Sequence, residues 1–287
     1  MKLRHSLLTT ALLGIFALPL HAVQGYYRSP VLQQDHIVFT AEGDLWQASL
    51  NDMIARRLSS HLAEESQPVL SPDGKQLAFV ADYDGASEIY LMPVAGGVAK
   101  RISYENSRVR IQQWLADGRI LYATDSAAGP ANYWLLKVVE PDSLATETLP
   151  LADASGGSID GQSGTVYFSR FGLQLTGDNT KVYRGGAMGE LWSWQLGSTN
   201  EARRLSAEHK GSISQPVFYQ GRVYFVSDAD GNSNIWSVAS DGGDIKQHSF
   251  HKDWRIGRIS VANDQVLYQL GADLQLLQLA DGQTKAL

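Results

Sequence analysis

QPVLSPDGKQLAFVADYDGASEIYLMPVAGGVAKRIS, residues 67–103, is the stretch that determines the fold of this chain. It contains four short runs of β-prone residues, at 67–70, 76–80, 88–92 and 100–103. The segments between these runs, 71–74, 82–85 and 95–97, are rich in Gly, Pro and Asp, which favour chain reversal. Short β-prone runs bounded by such turns predict a four-stranded antiparallel meander.

The meander recurs along the chain. The second run of each copy ends in an aromatic residue, at Phe39, Phe79, Tyr122, Phe168, Phe225 and Tyr268. The third run carries an acid or amide, an apolar residue and usually an aromatic, as in Asp44-Leu45-Trp46, Glu88-Ile89-Tyr90, Asn132-Tyr133-Trp134, Glu190-Leu191-Trp192, Asn234-Ile235-Trp236 and Asp273-Leu274-Gln275. The last positions of these third runs are 44, 44, 58, 44 and 39 residues apart. A period of about 40–45 residues with four strands in each unit predicts the blades of a β-propeller.

We therefore expect an all-β fold, a six-bladed β-propeller of four-stranded antiparallel blades over residues 23–287. The predicted blades cover 26–59, 67–103, 110–150, 156–206, 215–250 and 254–287. Because strand side chains alternate between the two faces of a sheet, the aromatic rows predict packing between neighbouring blades. Blades one and six each have four strands of their own. Ring closure is therefore expected to depend on packing of blade six against blade one, without a shared strand.

Residues 1–22 are expected to be a secretory signal peptide, which would place the protein in the periplasm or outside the cell. This segment has a basic start, an uncharged apolar stretch over 6–18, and a small residue at Ala22. The apolar stretch is too short to span a bilayer, so no membrane span is expected after cleavage. Cleavage would remove Lys2 and Arg4 and no acid, which changes the formal charge from −6 to −8. That charge argues against nucleic acid as a partner.

Motifs for catalysis, metals or cofactors are absent from the sequence, and none of the three is expected. Cysteine is missing, which excludes disulfides and thiol chemistry. The segment 161–164, GQSG, breaks the G-x-S-x-G spacing by one residue and predicts a turn. His248 and His251 lie three residues apart without an evident third metal ligand. The segment 228–234, DADGNSN, lacks the final bidentate acid of a calcium loop and predicts a hairpin turn, with calcium as the alternative.

Blade four contains an insertion that is the best candidate for recognition. Phe168 and Trp192 are 24 residues apart, whereas the equivalent residues of blades two and five are 11 apart. Loops longer than a turn requires often carry recognition on a rigid scaffold. The predicted binding residues are a cation and an aromatic beside two glycines, Tyr183, Arg184, Gly185 and Gly186. The alternative is a loop that covers a blade edge.

Five further segments occur in a fixed order: 25–30 (GYYRSP), 43–46 (GDLW), 71–75 (SPDGK), 183–186 (YRGG) followed by Leu191-Trp192, and 227–231 (SDADG). Together they resemble the N-terminal six-bladed propeller of tricorn-like serine peptidases, and the resemblance covers essentially all of residues 23–287. It implies a much longer enzyme, with a second propeller, helical and PDZ-like segments and a C-terminal catalytic domain. None of the catalytic residues of that family can be assigned to this sequence.

The resemblance implies a non-catalytic module of an exported tricorn-like serine peptidase, inactive alone. Its partners would be peptides, the peptidase domains or other proteins. The alternative is a free-standing periplasmic TolB-like propeller that binds a protein, although TolB-like proteins place an α/β domain before the propeller. An enzyme with its site in the propeller funnel would need clustered acids or histidines at the inner strand ends, and the seven histidines are scattered. Whether the chain is a truncated gene product or a stand-alone protein stays open.

Overall fold

The computed structural model describes residues 26–127, 133–172 and 182–287. The predicted signal peptide, residues 1–22, lies outside the described residues. The described residues form six four-stranded antiparallel sheets, and no helix long and apolar enough to cross a membrane occurs among them. The predicted fold class, an all-β six-bladed propeller, is confirmed.

Each blade is a meander in which consecutive strands are neighbours. Blades one to three comprise β1 (Arg28–Gln33), β2 (His36–Ala41), β3 (Asp44–Ser49) and β4 (Arg56–Arg57); β5 (Glu65–Leu70), β6 (Gln76–Ala81), β7 (Glu88–Pro93) and β8 (Lys100–Arg101); and β9 (Val109–Trp114), β10 (Ile120–Thr124), β11 (Leu135–Val139) and β12 (Thr146–Thr148). Blades four to six comprise β13 (Gly156–Ile159), β14 (Thr165–Arg170), β15 (Glu190–Gln195) and β16 (Arg203–Arg204); β17 (Ile213–Tyr219), β18 (Arg222–Ser227), β19 (Asn234–Ala239) and β20 (Lys246–Gln247); and β21 (Ile256–Ala262), β22 (Gln265–Leu270), β23 (Asp273–Gln278) and β24 (Thr284–Ala286).

The two recurring sequence positions are cross-strand partners. Phe39 lies opposite Trp46, and the same register recurs in blades two, four, five and six. The second-strand aromatics are all buried. They pack between blades, as in the cluster of Leu191 of blade four with Phe225 of blade five. Because burial of one aromatic side chain contributes roughly 1.5–3 kcal/mol, these rows are the main stabilising feature of the repeat.

Blade three departs from the predicted repeat. The third strand is β11, and Lys137 rather than Trp134 lies opposite Tyr122. The predicted third-run copy at 132–134 was therefore wrong by three residues; Asn132 lies outside the described residues. Trp134 precedes the strand and is fully buried in the cluster between blades three and four. Trp134 thus lies at about the expected spacing, but it belongs to a longer connection before the strand. It is part of the core and does not occupy the strand position.

The ring closes without a shared strand, as predicted. β1 pairs with β2, and the four strands of blade six pair among themselves. Leu32 and Phe39 of blade one pack in one cluster with Leu267 and Leu276 of blade six. Three hydrogen bonds that the sequence did not predict also cross this seam. The Tyr27 amide donates to the Ala272 carbonyl at 2.9 Å, and the Leu32 amide donates to Ser260 Oγ at 3.0 Å. Asn263 Nδ2 donates to the Gln34 carbonyl at 2.6 Å.

In blades one, two and five, the acid or amide that begins the third strand is buried and is bonded to the fourth strand or to the residues just after it. In blade two, Glu88 accepts hydrogen bonds from Arg101 Nη2 at 2.8 Å and from Ser103 Oγ. Ser103 Oγ in turn accepts the hydrogen bond of the Ile89 amide at 2.8 Å. Likewise, the Leu45 amide donates to Ser59 Oγ in blade one, and the Ile235 amide donates to Ser249 Oγ in blade five. The recurrence of these residues in the repeat therefore reflects a buried polar network that holds the short fourth strand against the third.

Candidate functional site

The first strands of the six blades surround a central cavity. Each first strand contacts the first strand of the next blade, and β21 contacts β1, which closes the ring. The cavity has a volume of about 320 Å³. Every blade contributes a first-strand residue to its lining: Ser29, Gln67, Arg110, Gly156, Gln215 and Arg258. The cavity is therefore the mouth of the central channel of the propeller.

Bulges in the inner strands direct polar side chains into this channel. The pairing register shifts in β1, β5 and β17, and Ser29, Gln67 and Gln215 occupy these positions with φ of 49°, 53° and 55°. A residue with a side chain costs about 1–3 kcal/mol in this left-handed region, a cost that often marks a functional position. A proline follows each of the three residues, which suits a position where the ladder hydrogen bond is lost. The Ser-Pro and Gln-Pro pairs are thus a signal for the channel that is present in the sequence but lies outside the aromatic repeat pattern.

Arg258 of blade six crosses the channel. Its Nη2 donates to the Ile111 carbonyl of blade three at 2.8 Å, and its Nη1 donates to Gln67 Oε1 of blade two at 3.2 Å. Blade three lies opposite blade six in a ring of six. The side chain therefore narrows the passage between the blades and places a guanidinium at the centre of the channel.

A second arginine faces the same cavity from the opposite side. The Arg110 guanidinium lies over the ring of Trp134, 4.3 Å from its centroid, and no hydrogen bond joins that guanidinium to another described residue. Burial lowers the pKa of Arg110 to about 10, and the neighbouring Arg108 adds to the effect. Burial, with repulsion from Arg110, lowers the pKa of Arg258 to about 10 as well. Both side chains are still cationic at neutral pH.

The charge of the cavity is unbalanced. Arg255 also lines it, whereas no carboxylate is among the lining residues in the described part of the chain. The remaining lining is mainly Ser and Gln side chains, which offer hydroxyl and amide groups. The arrangement thus presents hydrogen-bond donors and positive charge to a ligand, in a protein whose overall formal charge is −6.

The predicted binding loop of blade four is fastened to blade five. Arg184 Nη1 donates to Asp228 Oδ1 at 3.1 Å, and Arg184 Nη2 donates to the Asp228 carbonyl at 2.9 Å. The Val182 amide donates to Asp228 Oδ2, and the Ser212 amide donates to Oδ1, both at 2.9 Å. Arg184 therefore has a structural partner, and its part in ligand binding stays a prediction.

The other residues of this loop form a compact turn. The half-buried ring of Tyr183 folds over Gly185, where an added Cβ would lie 2.1 Å from the Tyr183 hydroxyl oxygen. Gly186 is exposed, and nothing would lie within 4 Å of a Cβ there. A side chain at Gly185 would therefore require the Tyr183 ring to move, whereas Gly186 is not restricted by space. Lys181, which precedes the loop, lies outside the described residues.

A second cavity joins the loop anchor to the channel. It has a volume of about 340 Å³ between blades five and six, and Asp228 and Trp254 are among its lining residues. It shares Ser214, Gln215 and Arg255 with the central cavity. The indole of Trp254 is 68% exposed at this rim. The structure therefore places Asp228, which anchors the predicted loop, next to the channel mouth. The sequence did not identify the residues of that mouth.

Two serine–histidine contacts lie outside the central cavity, and both serines are almost fully buried. His209 Nε2 lies 2.7 Å from Ser227 Oγ, and His248 Nε2 lies 2.7 Å from Ser237 Oγ. Ser227 and Ser237 are 2% and 0% exposed. Burial lowers the pKa of both histidines. Within the described ranges no carboxylate hydrogen-bonds to either ring. These contacts are consistent with packing and hydrogen bonding inside blade five.

The DADG segment is the predicted hairpin turn. Asp230 accepts hydrogen bonds from the Asn232 amide and from Asn234 Nδ2, and Gly231 has φ of +97°. The oxygens of Asp228 bind the blade-four loop, as described above. His251 Nε2 lies 2.9 Å from the Tyr268 hydroxyl and so does not pair with His248. Across the described ranges, no group of three or more His, Asp or Glu residues is arranged to hold a metal.

Comparison with known proteins identifies relatives over nearly the whole chain. The family model described as "Tricorn protease N-terminal beta propeller domain" matches residues 24–283. Tricorn protease homolog 1 of Streptomyces coelicolor is 30% identical over 263 residues, which are 91% of this chain and 24% of that protein. The "Putative Tricorn-like protease N-terminal subunit" of Sulfurisphaera tokodaii is 28% identical over 183 residues, 62% of this chain and 91% of that protein.

Solved structures show the same fold. The crystal structure of the tricorn protease superposes with a TM-score of 0.79 at 23% identity, over 92% of this chain and 26% of that one. TolB from Acinetobacter baumannii superposes with a TM-score of 0.62 at 12% identity, over 84% of this chain and 58% of that one. At these identities both likenesses concern the fold alone. The chain spans about a quarter of the length of the first tricorn protease homologues that it matches.

Proposed function

This chain belongs to the tricorn protease N-terminal β-propeller family, and from that premise we propose that it is a non-catalytic module that binds or channels peptides for a tricorn-like serine peptidase. The observation that carries the proposal is the central cavity, to which the first strand of every blade contributes a residue. Polar groups from six directions converge there on a space of about 320 Å³. Concave sites with a few convergent polar groups are the usual places for ligands.

The lining suits binding better than bond cleavage. Peptides carry carbonyl and carboxylate acceptors, and Arg, Gln and Ser side chains supply donors for both. The lining contains serines, but none of its described members is a histidine or an acid that could activate a serine. Ser227 and Ser237 are 2% and 0% exposed, and no carboxylate among the described residues hydrogen-bonds to the histidine beside either of them. Activity on peptides is therefore assigned to the peptidase part of the enzyme.

The proposed macromolecular partner is that peptidase part. The relative from Sulfurisphaera tokodaii is named as an N-terminal subunit of a tricorn-like protease, and this chain covers 91% of it. The name supports a propeller that works with a catalytic partner, whether the two are joined in one chain or not. The TolB-like alternative has only a fold likeness at 12% identity in its favour.

We also propose that the protein is exported to the periplasm or the medium. The support is the sequence pattern of residues 1–22, a basic start followed by an uncharged apolar stretch. Replacement of Leu12 and Leu13 by Arg would interrupt that stretch. The variant is expected to stay in the cytoplasmic fraction, while the unaltered protein moves to the periplasmic or secreted fraction in shortened form. An unaltered protein that keeps residues 1–22 in the cytoplasm would refute the proposal.

The function is tested with the purified chain and fluorescein-labelled octapeptides that have free carboxyl ends. Fluorescence anisotropy is expected to show saturable binding, and mass spectrometry of the same samples is expected to show intact peptides after prolonged incubation. Turnover that a serine-directed inhibitor abolishes would overturn the non-catalytic assignment. A failure of any peptide to bind would overturn the peptide-binding role.

A further inference from the structure

We propose that the cavity between blades five and six is a pocket for one aromatic side chain of the bound peptide, and that Trp254 forms its wall. We call this cavity of about 340 Å³ the side pocket. The inference rests on the proposed peptide-binding function and names the peptides that the channel prefers. These are peptides with a Phe or Tyr side chain near the residues that lie in the central cavity.

The side pocket borders the central cavity. Ser214, Gln215 and Arg255 line both spaces. A peptide that lies in the central cavity would thus have one of its side chains within reach of the side pocket. The volume of about 340 Å³ leaves room for an aromatic ring.

Trp254 is held in a fixed position beside this pocket. The Gly271 amide donates to the Arg255 carbonyl at 3.0 Å, which fastens the segment of Trp254 to the β22–β23 turn. The indole lies against Gly271, where an added Cβ would be 3.2 Å from the ring carbons Cδ2 and Cε3. Trp254 is nevertheless 68% exposed and lines the pocket, so ring surface remains for a ligand. Aromatic side chains pack favourably against one another, and a ring that is already held in place lowers the ordering cost of binding.

The interior of the side pocket suits an apolar group. Val226 and Ile256, both from the buried cluster between blades five and six, are part of its lining. Two of its serines already have partners in the protein. Ser212 Oγ accepts the hydrogen bond of the Gly189 amide at 2.9 Å, and Ser233 Oγ accepts that of the Ile256 amide at 3.2 Å. An aromatic ring can therefore displace water from the pocket without leaving these hydroxyls unpaired.

The charges around the side pocket cancel, which favours an uncharged occupant. Asp228 in its wall is paired with Arg184 at 3.1 Å. Asp253 and Arg255, both exposed, contribute one charge of each sign, and no other charged residue is among the lining residues in the described ranges. A Lys or Glu side chain would give up its hydration there with no net opposite charge to compensate. Phe and Tyr side chains carry no charge at neutral pH and do not meet this cost.

The test measures binding of unlabelled octapeptides by isothermal titration calorimetry, because a fluorescent label is itself aromatic. The peptides consist of Gly, Ser and Ala around one central position, which is Phe, Leu, Lys or Ala. The unaltered chain is expected to bind the Phe peptide about tenfold more tightly than the Ala peptide, as expected for burial of an aromatic ring. The Leu peptide should bind less tightly than the Phe peptide, and the Lys peptide no more tightly than the Ala peptide.

Trp254→Ala is expected to reduce the Phe-to-Ala ratio to within about twofold by weakening binding of the Phe peptide, whereas Trp254→Phe should keep most of the ratio. Phe250→Ala is the matched control, because Phe250 is a nearby aromatic residue that is 70% exposed and lines neither cavity. This variant should keep the full ratio. A second measurement uses a peptide with benzoylphenylalanine at the central position. Irradiation should crosslink it to residues 212–215, 226–233 or 253–256, which mass spectrometry identifies.

The outcomes separate this inference from the function on which it rests. Equal binding of the Phe and Ala peptides by the unaltered chain would overturn the side pocket and leave the peptide-binding role intact. No binding of any peptide would overturn both. A Leu or Lys peptide that binds as tightly as the Phe peptide would overturn the aromatic assignment, and a Phe preference that survives Trp254→Ala would overturn the role of Trp254. If Trp254→Ala fails to fold by circular dichroism, the crosslink still decides, since crosslinks confined to other segments would refute the pocket.

Discussion

The polar residues of the repeat have a physical explanation at the level of single side chains. Glu88 is fully buried at the start of the third strand of blade two, and its oxygens bind Arg101, Ser103 and the Asn106 amide. Each contact joins the third strand to the short fourth strand or to the connection after it. A buried carboxylate is tolerated only when its oxygens are satisfied in this way.

Replacement of Ser103 by Ala should destabilise the protein. The change leaves the Ile89 amide and one oxygen of Glu88 without the Ser103 hydroxyl, and an unsatisfied buried polar group costs about 1–3 kcal/mol. Thermal unfolding should therefore occur several degrees lower, at about 2–4 °C per kcal/mol for a domain of this size. Ser206 is the matched control, because it has the same place in blade four but bonds to the Gly242 carbonyl instead of the third strand. An equal loss in Ser206→Ala would contradict the role given to the network.

Glu105 gives a pH dependence. Burial would raise the pKa of its carboxyl, but hydrogen bonds from Lys137, Ser126 and Tyr122 outweigh burial and hold that pKa below its ordinary value of 4.5. The stabilisation is therefore complete above about pH 4.5 and is lost as the pH falls through the lower folded-state pKa. Glu105→Gln should be less stable than the unaltered protein at neutral pH and should lose less stability on acidification.

The measurement for Glu105 is urea unfolding between about pH 3 and pH 7. Glu147, whose side chain is 68% exposed in blade three, is the control acid. Glu147→Gln should reproduce the acid sensitivity of the unaltered protein. Parallel stability curves for the unaltered protein and Glu105→Gln would show that Glu105 contributes nothing to that sensitivity.

At the scale of elements, the blade-four insertion departs most from the repeat. Its last described residues bind Asp228 of blade five. That residue belongs to the turn between β18 and β19, so a turn of one blade serves as the anchor for a loop of another. The anchor lies in the wall of the cavity beside the channel mouth. Because the blade-four loop is held beside the channel mouth, it can influence peptide binding there without contributing to the hydrophobic core.

The double variant Tyr183→Ala with Arg184→Ala should weaken peptide binding with little loss of thermal stability. The Arg184–Asp228 pair is about one-third exposed on the arginine side, and exposed pairs contribute only about 0–1 kcal/mol. Anisotropy with the labelled octapeptides and a thermal melt measure the two effects. Arg222→Ala removes a similar arginine–aspartate pair at the opposite end of blade five, and it should leave binding unchanged. Unchanged binding in the double variant would remove the loop from the site.

The elements that the sequence predicted best are those with a periodic core. Phe79 opposite Tyr90 could be anticipated because the aromatic rows recur at a fixed spacing. The third strand of blade three could not, because a longer connection put a buried Trp134 near the position that belongs to Lys137. The channel was missed for a different reason. Four of its lining residues, Ser29, Gln67, Gln215 and Arg258, lie at bulges, where they leave the two-residue alternation that sequence patterns detect.

At the scale of the whole molecule, the seam between blades six and one has the same kind of apolar packing as the other seams, but it has no covalent connection across it. Leu267 is fully buried between blades six and one, and Leu191 is fully buried between blades four and five. The seam between the chain ends also has the hydrogen bonds of Tyr27 and Leu32 to blade six. No strand pairing connects these two blades within the described ranges. The continuity of the ring, and with it the geometry of the channel, depends on apolar contact at that seam.

Leu267→Ala tests this closure, with Leu191→Ala as its matched control. Each change should cost about 2–5 kcal/mol, because a buried Leu is replaced by a cavity of similar size. The two variants should differ in which strands show faster amide hydrogen exchange. In Leu267→Ala, hydrogen exchange should increase first in β1 and in blade six, since the chain ends can separate there without breaking a covalent connection. In Leu191→Ala the connection between blades four and five remains, so exchange should increase only with global unfolding. An identical exchange pattern in both variants would mean that the seam is not the place where the ring opens.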